Sequence, residues 1–157
     1  MSPFRRILAP VDFSSSSDRA CRYASELVRK YGADLHLLHV VEDVPSVESE
    51  DAVFLQERET SCQQAVDEKL QAVPPPGWTE DVNIVRETCH GHPFVEISRY
   101  ARENGIDLIV TGTHGRSGIA HMLIGSVAEN VVRVAECPVL TVPGSKVHAS
   151  VAAESPA

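Results

Sequence analysis

The sequence predicts a single α/β domain with a doubly wound, five-stranded parallel sheet and helices on both faces. Short apolar runs alternate with longer segments whose apolar residues recur at helical spacing. The run at 108–110 is apolar throughout, which is typical of a central parallel strand covered on both faces. Strands separated by helices pair in parallel through right-handed crossovers. We expect this domain to span residues 1–143 and residues 144–157 to form a disordered tail.

The first half of the chain predicts two strands and two helices. An apolar run at 7–11 forms the first strand, and a serine run at 14–17 supplies N-cap candidates for the first helix, which Gly32 ends. A second apolar run at 35–41 forms the second strand, and residues from about 50 to 72 form the second helix. The predicted inner faces are Ala20, Ala24, Leu27 and Tyr31 in the first helix, and Leu55, Cys62, Val66, Leu70 and Val73 for the second.

The second half continues the alternation. Residues 81–88 alternate between apolar and polar, which suits a half-exposed edge strand. The segment 91–93 opens the third helix with proline at or near its first position, and the apolar run at 108–110 follows. Ser126 starts the fourth helix, and 139–142 is the last strand. The predicted inner faces are Phe94, Ile97 and Ala101 in the third helix, and Val127, Val131 and Val134 in the fourth.

Composition narrows the functional classes. The formal net charge of -8 predicts a surface that repels phosphate backbones, so we expect no nucleic-acid partner. No apolar run approaches the length of a membrane span, and the first apolar run is too short for a signal peptide. The 4 cysteines form no CxxC pair, which fits a reducing compartment. These observations predict a cytoplasmic protein without membrane partners.

The segment after the fourth predicted strand carries the main functional signal. Ligands of open α/β sheets bind beyond the carboxyl ends of the strands. Gly112 and Gly115 lie there, and Gly125-Ser126 follows at the start of the next helix. Glycines can take positive φ and let a ligand approach the backbone, while free amides at a helix N-terminus favour phosphate. Two anion-binding elements at one strand end favour a polyphosphate ligand.

Structural roles compete with this interpretation. Ser126 also begins a Ser-x-x-Glu capping box, and the local pattern leaves the capping and phosphate roles open. Asp12 follows the first strand, where local sequence favours a cap of the first helix over a ligand contact. For His114, a hydrogen bond to a phosphate and a plain structural role in the loop are equally compatible with the sequence. Arg116 is compatible with a solvent-exposed charge in the same loop. The glycines themselves could make a tight turn.

Several enzyme classes lack their motifs here. The sequence contains no GxxxxGK[ST], no GxGxxG after the first strand and no Gly-x-Ser-x-Gly. His36 and His39, like His90 and His92, have no third ligand at a suitable spacing, so we expect core-edge and turn histidines rather than a metal site. Asp12 is the single well-placed acid, which argues against an efficient phosphoryl-transfer enzyme.

The segment Gly112-x2-Gly115-x9-Gly125-Ser126 resembles the ATP-binding motif of universal stress proteins, G-2x-G-9x-G-(S/T). The segments 6–14 and 137–142 are similar to the first and last strands of that family, and the resemblance covers nearly all of residues 4–143. It implies strand order 3-2-1-4-5, with ATP across the ends of the first and fourth strands. It also implies a homodimer formed by pairing the fifth strands, here Val139, Leu140, Thr141 and Val142.

The resemblance assigns contacts to individual residues. Asp12 and Val40, with Pro10 and Val11 beside them, would contact adenine and ribose. The phosphates would be held by Gly112, His114, Gly115, Gly125, Ser126 and Val127, with Mg²⁺ as a candidate companion. Thr113 and Arg116 are further candidate contacts of the nucleotide. The implied function is an ATP-binding stress-response regulator with at most slow hydrolysis. The alternatives are a nucleotide-free partner-binding module and a slow ATPase or nucleotidyl transferase.

Overall fold

The computed structural model describes residues 2–43, 52–114 and 124–144. Within these residues, nine elements alternate in the predicted order. The strands are β1 (Arg6–Pro10), β2 (Asp34–Val41), β3 (Ile84–His90), β4 (Leu108–Gly112) and β5 (Val139–Val142). The helices are α1 (Ser15–Tyr31), α2 (Ala52–Gln71), α3 (Pro93–Glu103) and α4 (Ser126–Val134). The predicted tail lies almost entirely outside the described residues.

The five strands form one parallel sheet in the order β3-β2-β1-β4-β5. This confirms the predicted fold class and strand order. β3 is a half-exposed edge strand as predicted, but it starts at Ile84 rather than residue 81. Asp81 has a φ of 63°, and the Val82 amide donates to the Thr79 carbonyl at 3.3 Å. These residues therefore form a turn, which delays the start of the strand.

Side chains of alternate strand residues enter two separate cores. Ile7 and Leu37 pack beneath α1, while Leu8 and Ile109 pack beneath α3 and α4. All four are completely or almost completely buried. Burial of each such side chain stabilises the fold by about 1.5–3 kcal/mol. The sheet is covered on both faces, as expected for a doubly wound fold.

The ends of α1 follow from local residue chemistry. The Ser14 hydroxyl accepts the Ser17 amide at 3.2 Å, so Ser14 is the N-cap. Gly32 ends the helix in the left-handed conformation with a φ of 66°, and its amide donates to the Val28 carbonyl. Both predicted boundaries are confirmed.

Two predicted inner-face positions are wrong. Cys62 is exposed because α2 lies over the edge strand β3, and among the described side chains of this helix the buried one is Leu70, at its carboxyl end. Val134 is 49% exposed because the inward stripe of α4 continues from Val131 to Ala135. A step of one residue rotates a side chain by about 100° around a helix, which turns Val134 towards solvent.

Candidate functional site

The sheet splits between β1 and β4 at the carboxyl ends of its strands. β1 is paired with β2 as far as Pro10, and β4 is paired with β5 as far as Gly112. β1 and β4 pair with each other only as far as Leu8 and Ile109, although both strands are described over their whole length. The chain also reverses its winding direction between these two strands. Such a switch point is where open α/β sheets bind their ligands.

The β1–α1 turn forms one side of this crevice. The Val11 amide donates to the Leu38 carbonyl at 2.8 Å, which extends the pairing with β2 by one residue. An Asp12 carboxylate oxygen accepts the Ser14 amide at 2.9 Å, in an Asx-type turn. The prediction that Asp12 caps α1 is therefore wrong, because Ser14 occupies the N-cap two residues later.

Phe13 holds an unusual backbone conformation in this turn. Its φ of 62° lies in the left-handed region, which costs a residue other than glycine about 1–2 kcal/mol. Its ring lies 4.8 Å from the ring of His39, and the Lys69 ammonium lies 5.7 Å from its centre. Sequence reasoning missed Phe13, because nothing in the local pattern signals a left-handed phenylalanine.

Gly112 lies on the other side of the crevice, against the first turn of α1. A Cβ at Gly112 would lie 2.8 Å from both the carbonyl carbon and the oxygen of Ser16, and even closer to the Ser16 hydroxyl. The φ of Gly112 is outside the left-handed region. The expected positive φ is therefore absent here, and the close approach of α1 is what requires glycine.

The first turn of α1 connects the two sides of the crevice. The Ser17 hydroxyl accepts the Asp12 amide at 3.4 Å, while the hydroxyl of the neighbouring Ser16 accepts the His114 amide at 3.4 Å. Ser16 and Ser17 are both buried. Sequence reasoning treated the serine run as N-cap candidates alone, and the second role depends on contacts with β4.

Thr113 ties the end of β4 to its neighbours. Its amide donates to the Val142 carbonyl at 3.0 Å, and its carbonyl accepts the Gly125 amide. Its hydroxyl lies 2.9 Å from Nδ1 of His114. Thr113 is buried, so its backbone supports the crevice and joins β5 and the start of α4 to it.

The N-terminus of α4 begins with a glycine. Gly125 is the N-cap and Ser126 is the first helical residue, and within the part of the chain that the structure describes no side-chain hydrogen bond caps the helix. The alternative role of Ser126 as the cap of a Ser-x-x-Glu box is therefore wrong, and Glu129 instead pairs with Arg133 at 2.9 Å. Gly125 has φ -68° and ψ 157°, values that any residue can adopt. The first amides of a helix and its dipole favour an anion at this end.

The remaining predicted site residues occupy different places. Val40 is half-buried near the end of β2 and packs on the α3 side of the sheet, whereas Val11 is buried on the α1 side. Pro10 ends β1 and is half-buried, and Val127 is half-buried in α4. Gly115 and Arg116 lie outside the described residues.

The described residues contain no group of three or more side chains that could hold a metal ion. His36 and His39 are both buried on β2, one facing each core, as expected for core-edge histidines. Among the described helices, none is long and apolar enough to cross a membrane.

The fold defines a doubly wound α/β protein with a crevice at the switch point between β1 and β4. The chain matches the Universal stress protein family over residues 3–143 and belongs to that family. It is 32% identical over 143 residues to universal stress protein MJ0531 of Methanocaldococcus jannaschii, covering 91% of this chain and 84% of that relative.

Solved structures of relatives share the fold. The structure of protein MJ0577 of Methanocaldococcus jannaschii superposes with a TM-score of 0.76 at 26% identity, covering 91% of this chain and 98% of that one. A universal stress protein in complex with cAMP superposes with a TM-score of 0.62 at 26% identity, covering 92% of this chain and 100% of that one. At least one similar protein of this family therefore has a structure with a bound nucleotide.

Proposed function

We propose that this protein binds ATP in the crevice between β1 and β4 and acts as a cytoplasmic, nucleotide-sensing stress-response regulator with at most slow hydrolysis. The observation that carries the proposal is the connection through α1. Adjacent serines of its first turn hold Asp12 on one side of the split and the Gly112–His114 backbone on the other. The similar protein solved with cAMP supports a nucleotide as the ligand class.

Each part of ATP has a suitable partner in this arrangement. The phosphates would lie at the N-terminus of α4, where the first helical amides, beginning at Ser126, would donate to an anion. The Asp12 carboxylate can accept hydrogen bonds from ribose hydroxyls. Val40 would offer an apolar surface to the base. The intact G-2x-G-9x-G-S spacing supports the same assignment.

A sensor fits the site better than an efficient enzyme. Rapid phosphoryl transfer needs metal ions positioned on the phosphates and an oriented nucleophile. Because the described residues offer no cluster of three metal ligands, Mg²⁺ would be held mainly through the phosphates of ATP. Calorimetry with and without Mg²⁺ tests this part of the proposal.

Substitution of Gly125 tests the phosphate position. Asn and Asp are at least as good as glycine at an N-cap, so Gly125→Asn and Gly125→Asp should both keep the stability of the wild type to within a few tenths of a kcal/mol. Both side chains occupy the space in front of the α4 amides, and only Asp adds a negative charge. We expect Gly125→Asn to weaken ATP binding in calorimetry and Gly125→Asp to weaken it about tenfold further.

Adenosine serves as the control ligand. It lacks phosphates, so its binding should not distinguish the Asn variant from the Asp variant. Equal ATP affinity for all three proteins would show that the phosphates lie elsewhere. A wild type that binds no ATP at all would instead favour the nucleotide-free partner module.

The predicted homodimer is part of the same proposal. β5 is an edge strand of the sheet, and Leu140 on it is 39% exposed. Pairing of two β5 strands would cover this edge. Sedimentation velocity should show a dimer for the wild type and a shift to monomer for Leu140→Lys. Val53→Lys, at an exposed position of α2, is the matched control and should leave the dimer intact. A monomeric wild type would contradict the proposal.

A further inference from the structure

His39 is a buried histidine directly beside the β1–α1 turn. It lies on β2, one residue before Val40, and is 6% exposed. Its Nδ1 lies 2.6 Å from the Val11 carbonyl oxygen. A carbonyl oxygen can only accept, so Nδ1 carries the hydrogen and donates it. This bond crosses from β2 to the residue that immediately precedes Asp12.

The same ring also supports Phe13, the residue that follows Asp12. The two ring centres are 4.8 Å apart and tilted by 41°, a normal geometry for packed aromatic rings. Phe13 has the left-handed φ of 62°, a conformation that persists only where surrounding contacts hold it. His39 therefore contacts the residues on both sides of Asp12.

We propose that His39 is a positioning residue of the nucleotide site: it fixes the Val11 carbonyl and the Phe13 ring, and through them holds Asp12 at the crevice. Asp12 has little freedom of its own once its neighbours are fixed, because its amide is bonded to Ser17 and its carboxylate to the Ser14 amide. The part of this inference that concerns ligand affinity rests on the proposed binding of ATP.

His36 is a matched control on the same strand. It is also 6% exposed, and its Nδ1 makes one hydrogen bond, to the Tyr100 hydroxyl at 2.9 Å. It faces α3, on the opposite side of the sheet from the β1–α1 turn. Loss of either histidine should lower stability through the loss of a buried hydrogen bond. Only loss of His39 should release the turn.

The test compares His39→Leu, His39→Asn and His36→Leu. The Asn carboxamide nitrogen takes the place of Nδ1, so Asn can keep the bond to the Val11 carbonyl, whereas Leu keeps the bulk without a donor. If His39→Leu fails to fold, His39→Gln replaces it. The Gln amide nitrogen lies one bond farther along the side chain than that of Asn, so it does not take the place of Nδ1. Thermal unfolding of each variant measures the purely structural effect.

The first readout is amide hydrogen exchange of residues 11–14 in the nucleotide-free protein. We expect His39→Leu to speed exchange there about tenfold over His36→Leu, and His39→Asn to restore most of the protection. The second readout is ATP affinity, which should fall about tenfold in His39→Leu, recover in His39→Asn and stay unchanged in His36→Leu.

The two readouts separate this inference from the proposed function. Unchanged exchange at 11–14 in His39→Leu overturns the positioning role. An equal loss of ATP affinity in His39→Leu and His36→Leu overturns it too, because general destabilisation would then explain both. If the wild type binds no ATP, the proposed function fails, and the exchange experiment still decides whether His39 holds the turn.

Discussion

Replacing Gly112 with alanine tests the packing of α1 against the end of β4. The φ of Gly112 is outside the left-handed region, so backbone conformation alone does not oppose alanine. In open space such a change would stabilise a protein by about 0.4–1 kcal/mol, since it restricts the unfolded chain. The sign of the effect therefore depends on what the new Cβ meets.

A Cβ at residue 112 would collide with the backbone of Ser16. The Cβ would lie 2.8 Å from the carbonyl carbon and from the oxygen of Ser16, distances at which one of the two segments must move. The obstacle is backbone of a buried helical turn, so it cannot swing aside as a surface side chain would. Overpacking of this kind costs about 1–3 kcal/mol. In a chain of 157 residues, a loss of about 2 kcal/mol lowers the Tm by about 4–8 °C.

Urea and thermal unfolding of the nucleotide-free protein measure this change, so the result does not depend on any ligand. Circular dichroism follows the helices, and Trp78, the 1 tryptophan of the chain, provides a fluorescence signal. Gly32→Ala is the comparison, because no atom lies within 4 Å of its Cβ and its φ of +66° alone should make alanine unfavourable. An unchanged or higher Tm for Gly112→Ala would refute the packing argument.

Three further predictions concern stability and reactivity. Burial lowers the pKa of His36 below its ordinary value near 6.5, so the unfolded chain binds this proton more readily than the folded one. The stability that depends on neutral His36 should therefore be lost as pH falls from 7 to below 6.5. The free energy of unfolding in urea should differ less between pH 7 and pH 5 in His36→Gln than in the wild type. The Arg86 Nε donates to the Leu70 carbonyl in the last turn of α2 at 3.1 Å and to the Val73 carbonyl just after the helix at 3.0 Å. Arg86→Ala should lower the free energy of unfolding by about 1–3 kcal/mol, and a change below about 0.3 kcal/mol would contradict this. Burial raises the pKa of the Cys21 thiol to about 11, so a thiol reagent at pH 8 should modify the exposed Cys62 in the folded protein and Cys21 only after denaturation, as mass mapping can check.

Much of the fold could be predicted from residues close together in the chain. Helical spacing and the cap residues Ser14 and Gly32 set the limits of α1, and proline opens α3 at residue 93. The uninterrupted apolar run at 108–110 indicated a central strand, and alternation near β3 indicated an edge strand. The sequence also placed Gly112 at the end of the fourth strand, where β4 ends. These features depend on local backbone preferences and on periodicity, so a single sequence records them.

The tertiary structure alone decided what several site residues do. Local pattern allowed Ser126 as the cap of α4, yet the cap is Gly125, whose amide is bonded to the Thr113 carbonyl just after β4. Gly112 is glycine because α1 approaches it, and the His114 amide bonds to Ser16, 98 residues away in the chain. The hydrogen bond between His39 and Val11 likewise joins neighbouring strands. Such contacts arise only when the sheet brings the ends of its strands together, and no local pattern of residues encodes them.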